Sequence, residues 1–285
     1  MNRSILVIVG DQKHDRFSLE KAQYFAGHLD ASIDVVRFLS SIDTSNKQLC
    51  ETAVAQARAD LEQDSLAVLG SSSQVDCHVI ADSDIASWVV NACKQKHFDL
   101  VVKTGHRTEN LFHTPTDWQL IRQLDCPILI ACDHKWRSKQ VLMAAVDVST
   151  QARKQALNSL ILQWTALLSA AFSCVPYVVY SIPIAKPLLE LDIVEKNDYL
   201  KSKKPAVEKQ LAKLLGDCEL AHANTHITAG PPEKTLAHVA NELKADVVIM
   251  GCVRRKGVKG FLLGNTAEKV LHHLRTDILI VEACD

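Results

Sequence analysis

Residues 251–268 read GCVRRKGVKGFLLGNTAE, so that Gly251, Gly257, Gly260 and Gly264 alternate with Arg254, Arg255, Lys256 and Lys259. The chemistry this spacing suits is anion binding. Glycine lets the backbone approach a ligand and take positive φ angles. Successive free N–H groups form a nest for an anion. Asn265, with Glu268 three residues later, fits the start of a helix. A helix N-terminus carries about half a positive charge and favours phosphate. A second apolar run ends in Val146-Asp147-Val148-Ser149, offering a carboxylate. The loop alone is equally consistent with a solvent-exposed connection that carries basic residues and an ordinary cap.

The elements that would position these residues are legible as short apolar runs. In the first half they are 5–9 (ILVIV), 33–38 (IDVVRF), 75–80 (VDCHVI), 100–102 (LVV) and 127–131 (PILIA). In the second half they are 141–146 (VLMAAV), 176–181 (PYVVYS), 221–227 (AHANTHI), 247–250 (VVIM) and 277–281 (DILIV). Helical patterns at 17–29, 85–93 and 236–243 lie between them. Strand–helix alternation means parallel strands joined by right-handed crossovers, with helices on both faces. Continuous Val/Ile/Leu strands agree with burial on both faces. Asp99-Leu-Val-Val matches Asp246-Val-Val-Ile at an offset of 147 residues, and Leu124-Asp-Cys-Pro matches Leu274-Arg-Thr-Asp at 150. The first strands match at about 136, pairing Asp11 with Asp147. Three elements repeating in order argue for duplication. The expected domains are 1–134 and 139–285, with the polar stretch 133–139 (DHKWRSK) as linker. In an open α/β sheet the ligand lies beyond the carboxyl ends of the strands, where the strand order reverses. That point falls between the first and fourth strands of each repeat.

Bulk composition narrows the class of function. Hydrophobic residues make up 47% and charged residues 23% of 285, as in a soluble globular protein. The formal net charge is −1, so no global field recruits nucleic acid. Residues 1–138 carry 14 basic and 18 acidic residues, whereas 139–285 carry 18 and 15. That mild asymmetry suits an anion site in the second half and equally a solvated surface. The nine cysteines form no C-x-x-C pair and read as reduced, mostly buried thiols of a cytoplasmic protein. The longest apolar runs fall far short of the roughly 18 residues that span a membrane. On a strand, His222 and His226 would stand about 13 Å apart, too far to share an ion. Adjacent His272 and His273 point to different sides of a helix. Cys218, His222 and His238 form no converging set by spacing, so no metal is expected. No G-x-S-x-G occurs, and no cysteine sits beside a recognisable base motif, so no catalytic residue is assigned. Asp82 and Asp84 read as helix caps.

The loop resembles that of the universal stress protein family, whose nucleotide-binding members carry G-x2-G-x9-G-[S/T] after the fourth strand. Gly251 and Gly264 fit the first and third glycines with the spacing kept, and GNTAEKVLHHLRTDILIV is close to the family's usual ending. Asp147 fits the aspartate that contacts the base. Two positions depart: Arg254 stands at the second glycine and Asn265 at the Ser/Thr, with Thr266 next to it. An arginine there either clamps a phosphate or fills its space. The first domain's 103–114 (KTGHRTENLFHT) is four residues shorter and keeps only Gly105. Thr114 and Pro115 still suit a helix start, so no nucleotide is expected in that domain. The whole chain, with TPTDW at 114–118, looks like the tandem E-type members.

The resemblance implies an adenine nucleotide α-hydrolase-like α/β fold in each half, with parallel strands in the order 3-2-1-4-5. It implies a cytoplasmic stress-response protein that binds a ligand or partner without strong catalysis. The alternatives are an ATP-binding protein or slow ATPase using ATP with Mg2+ through the second domain, and a scaffold with a vestigial loop. The implied nucleotide-binding residues are Asp147, Val148, Gly251, Arg254, Gly257, Gly264, Asn265 and Thr266. The last strand of each domain is an edge. The expected solution is an intramolecular pseudo-dimer through Pro127–Ala131 and Asp277–Val281, with a homodimer as the further option. The apolar segment 182–193 (IPIAKPLLELDI) reads as a cavity lining or a packed loop.

Overall fold

A computed structural model of the chain describes residues 3–10, 16–40, 47–70, 75–105, 115–148, 152–185, 187–188, 191, 195–252, 255–257, 260–262, 269–271 and 273–282. It divides into two compact units, Met1–Lys135 and Trp136–Asp285.

The first unit contains β1 (Arg3–Val9), α1 (Arg16–Leu29), β2 (Ala31–Phe38), α2 (Lys47–Leu69), β3 (Val75–Ile80), α3 (Ile85–Gln95), β4 (Leu100–Thr104), α4 (Pro115–Gln123) and β5 (Ile128–Ala131). Its strands are parallel, in the order β3-β2-β1-β4-β5. The second unit contains β6 (Leu142–Ala145), α5 (Ala152–Ala171), β7 (Tyr177–Ile182), α6 (Lys196–Asp217), β8 (Asn224–Ala229), α7 (Pro232–Glu242), β9 (Val247–Cys252), β10 (Arg255–Gly257), β11 (Gly260–Leu262) and β12 (Asp277–Glu282). Its parallel strands run β12-β9-β6-β7-β8. Numbered within its own unit, each sheet has the expected 3-2-1-4-5 order, with the β10–β11 hairpin added in the second.

Burial explains the strands. Ile5–Val9, the inner part of β1, and Leu100–Val102 of β4 are at most 4% exposed, as are Val247, Val248 and Ile249 of β9. Helices on both sheet faces leave such strands no polar side. The helices follow local signals. The Asp84 carboxylate accepts the Ser87 N–H at 3.0 Å and caps α3. Hydrogen bonding from the Ser87 side chain, and then from its N–H, holds the Asp84 carboxyl below the usual range. Asp82 accepts the Asp84 N–H at 2.9 Å. Helix α4 starts at Pro115, a residue that lacks the N–H a first turn cannot use.

The duplication reaches the hydrogen bonds. Asp99, just before β4, accepts the Ser4 N–H at 2.9 Å through its carboxylate and donates its own N–H to the Ser4 carbonyl at 2.8 Å. Asp246, just before β9, does the same to Val141, at 2.8 and 2.9 Å. One aspartate thus locks the start of the first strand to the fourth in each unit.

Residues 136–137 are not a free linker. The Trp136 indole donates to the Asp277 carboxylate at 2.6 Å and its ring lies 5.1 Å from Phe172. The Arg137 guanidinium lies 2.9 Å from the Asp246 carboxylate. Two of the seven residues of the expected linker are therefore anchored within the second unit. The cysteines also differ from expectation. Of the eight described, all free thiols, Cys77 and Cys252 are buried and the other six are half-buried. The segment 182–193 is described only in part. Ile182 and Ile184 are buried, whereas Leu188 and Leu191 are exposed. Among the described residues, no helix is long and apolar enough to cross a membrane.

Candidate nucleotide site

In the second unit the chain leaves β6 toward β7 on one side and returns through β9 on the other. The switch point therefore lies between β6 and β9, which pair with Ala145 beside Met250. This register brings Asp147, two residues past β6, and Gly251 of β9 to the same carboxyl edge.

Asp147 is held by its backbone. Its N–H donates to the Asn158 side-chain oxygen at 3.0 Å, and its carbonyl accepts the Asn158 side-chain N–H at 2.8 Å. Asn158, on α5, is 3% exposed. Its amide matches one donor and one acceptor, which fixes the peptide and leaves the carboxylate to point elsewhere. That carboxylate lies 2.7 Å from Lys154 Nζ, and both side chains are partly exposed. Burial raises the Tyr180 phenol on β7, and the nearby Asp147 charge and Tyr199 add to the shift. Lys154, Asn158 and Tyr180 were not singled out by sequence. Polar residues inside a helix or strand carry no motif, and only the fold brings them to Asp147.

We expect Asn158→Ala to cost about 1–3 kcal/mol, because it strands a backbone donor and acceptor at the end of β6. Urea denaturation would measure it. A change below about 0.5 kcal/mol, the range of ordinary surface substitutions, would remove Asn158 from this role.

Gly251 has a packing reason of its own. A Cβ built on it would lie 2.4 Å from both Cδ2 and Cγ of Leu157 on α5. Val148 follows Asp147 and is half-buried. Gly257 closes a hairpin, paired antiparallel with Gly260, where the sequence reading has an open loop. Its backbone belongs to a two-stranded ladder. Arg254, Gly264, Asn265 and Thr266 lie outside the described residues. His222 precedes β8 and is not on a strand with His226, so the strand-spacing argument does not apply to that pair.

The first unit fills the equivalent edge differently. Lys103 of β4, 6% exposed, lies 2.7 Å from the carboxylate of Asp117, 0% exposed, in the first turn of α4. Its ammonium also donates to the Thr104 carbonyl at 3.0 Å. At the repeat offset of 147, Lys103 corresponds to Met250. A buried cation thus stands on the fourth strand of one unit where the other has a buried apolar residue.

The sequence profile of the Universal stress protein family matches residues 1–131 and again 140–282. The chain belongs to the universal stress protein family. It is 26% identical to Universal stress protein E of Escherichia coli K12 over 301 residues, 99% of this chain and 94% of the relative. The Universal stress protein E homolog of Haemophilus influenzae is 29% identical over 216 residues, 72% of this chain and 69% of the relative. The fold is also that of a solved universal stress protein from Archaeoglobus fulgidus. The two share 16% identity at a TM-score of 0.69, with 98% of each chain covered. A Pseudomonas aeruginosa PAO1 protein of unknown function superposes at a TM-score of 0.73, with 23% identity and 99% and 92% coverage.

Proposed function

We propose that this universal stress protein acts in the stress response by binding a ligand, without strong catalysis, through its second unit alone. The ligand class we propose is an adenine nucleotide, with ATP and Mg2+ as the test pair. Asp147 and Val148 would meet the base. Gly251, Arg254, Gly257, Gly264, Asn265 and Thr266 would form the phosphate side. We further propose that the protein works in the cytoplasm.

The observation that carries this reading is the asymmetry between the two switch points. The second unit keeps Asp147 clamped by Asn158 at the edge that leads into the glycine loop. The first unit has Lys103 and Asp117 occupying each other at its edge. Lys154 supports an anionic ligand. Its ammonium is partly exposed, 2.7 Å from the Asp147 carboxylate, and a phosphate could recruit it without desolvating a new charge.

Thermal denaturation with ATP and magnesium tests the proposal. A ligand at about 100 times its dissociation constant stabilises by about 2.7 kcal/mol. Gly264→Val should abolish the shift by blocking close backbone approach. No shift at millimolar ATP would sink the nucleotide reading and leave the scaffold. A full shift in Gly264→Val would move the site away from the loop.

A further inference from the structure

In the first unit, the end of α3 and the residues leading into β5 border a small groove of about 70 Å3 lined by Cys93, Cys126, Lys94, His97 and Phe98. The two sulfurs lie 4.0 Å apart, although 33 residues separate them in sequence. Both cysteines are half-buried free thiols. A water molecule's share of liquid volume is about 30 Å3, so the groove admits a molecule of peroxide size.

We propose that Cys93 and Cys126 form a reversible disulfide when the protein meets hydrogen peroxide, so that the first unit carries a redox site separate from the ligand site of the second. A disulfide needs an S–S distance of about 2.05 Å. The remaining 2 Å or so is within reach of side-chain rotation and a small shift of the chain end before β5. The steps balance. The Cys93 thiolate attacks a peroxide oxygen; the S–O bond forms, the O–O bond breaks, and hydroxide leaves to become water. Cys126 sulfur then attacks the Cys93 sulfenic acid. The S–S bond forms, the S–O bond breaks, and a second water leaves with the Cys126 proton. Two thiols lose two electrons, and the peroxide is reduced.

The direction of attack follows from the hydrogen bond between the sulfurs. Cys126 donates its S–H to Cys93, which lowers the Cys93 thiol; the same bond and burial raise Cys126. Cys93 is the attacking sulfur and Cys126 the resolving one, since the thiolate is the reactive form.

The duplication supplies an internal comparison. At the repeat offsets of 147 and 150, Cys93 corresponds to Ala240 and Cys126 to Thr276. Ala240 is 3% exposed, and Thr276 hydrogen-bonds the Ala245 and Asp246 carbonyls. The second unit therefore makes the same corner of the fold without sulfur. The pair in the first unit is not required by packing.

The test treats the full chain with hydrogen peroxide, alkylates the remaining thiols and maps cross-linked peptides by mass spectrometry. Cys77→Ala/Cys132→Ala serves as background, because Cys77 shares a tryptic peptide with Cys93 and Cys132 shares one with Cys126. The expected result is an intramolecular Cys93–Cys126 link that dithiothreitol removes. The oxidised chain should also melt about 3 °C or more higher, as closing a loop of this length stabilises. Cys126→Thr should leave Cys93 as a sulfenic acid that a dimedone probe labels faster than Cys50. Cys93→Ala should leave Cys126 alkylatable after peroxide. Both variants copy residues the second unit already uses, so folding should survive. An absent link with both thiols still alkylatable, a link only between chains, or Cys93 labelling no faster than Cys50 would each overturn the proposal.

Discussion

Replacing Asp117 with alanine is expected to destabilise the first unit by about 3–5 kcal/mol, the cost of leaving a buried charge without its partner. Lys103 and Asp117 are 6% and 0% exposed, so water cannot solvate the ammonium once the carboxylate is gone. The Thr104 carbonyl, 3.0 Å from the ammonium, offers a dipole but no compensating charge. Lys103→Met alone should also destabilise the unit, because it removes the cation 2.7 Å from the buried Asp117 carboxylate. The double variant Lys103→Met/Asp117→Ala removes both charges and should regain most of the loss, since apolar replacement of a buried pair is often neutral. Amide hydrogen exchange resolves the two units, with protection read on β1, β4 and β5. A single substitution within about 0.5 kcal/mol of the parent would show that the pair is solvated and not structural. The double variant should respond to ATP as the parent does, because the proposed ligand site lies in the other unit.

That ion pair also shows where the sequence is readable and where it is not. Strand β3 has the expected limits, 75–80, because β-branched residues stand at both of its ends, after the polar run 71–74 (SSSQ) and just before 81–84 (ADSD). Strand β1 starts two residues early, at Arg3, because Ser4 is tied to Asp99 and to the His97 carbonyl, contacts nearly a hundred residues away in sequence. Strand β8 is displaced to Asn224–Ala229 from the expected 221–227. It is the terminal strand in its order and mostly only half-buried, so its residues carry little hydrophobic pattern to fix a boundary. The β10–β11 hairpin has no Asn-Gly or Asp-Gly turn to announce it. The candidate site divides the same way. Asp147 and Gly251 are visible because they end apolar runs. Lys154, Asn158 and Leu157 are not, because each is an ordinary residue of one helix until the crossover sets that helix over β6 and β9.

Gly251 is the residue on which those two kinds of information meet, and its substitution is the second large effect expected. Read from the motif, the glycine makes room for a phosphate. Read from the fold, it makes room for Leu157, itself buried at 7% exposure, with a Cβ at Gly251 falling 2.4 Å from two of its carbons. Such a contact forces either the helix or the side chain to move, and overpacking of this kind costs about 1–3 kcal/mol. Gly251→Ala should therefore destabilise the protein in the absence of any ligand. Leu157→Ala alone should cost about 2–5 kcal/mol through the cavity it leaves. The double variant should lose less than the two singles together, with a coupling of about 0.5–3 kcal/mol, because the new methyl occupies part of the vacated space. Urea denaturation of the four proteins gives the coupling, and ATP titration of each separates packing from binding. If the glycine served ligand approach alone, Gly251→Ala would keep the parent's stability and lose only its ATP response. Additive single and double effects would likewise detach Gly251 from Leu157. The expected coupling makes the first glycine of the loop a structural requirement of the α5–β9 contact, and it moves the weight of the proposed nucleotide recognition onto Asp147 and the residues from Arg254 to Thr266.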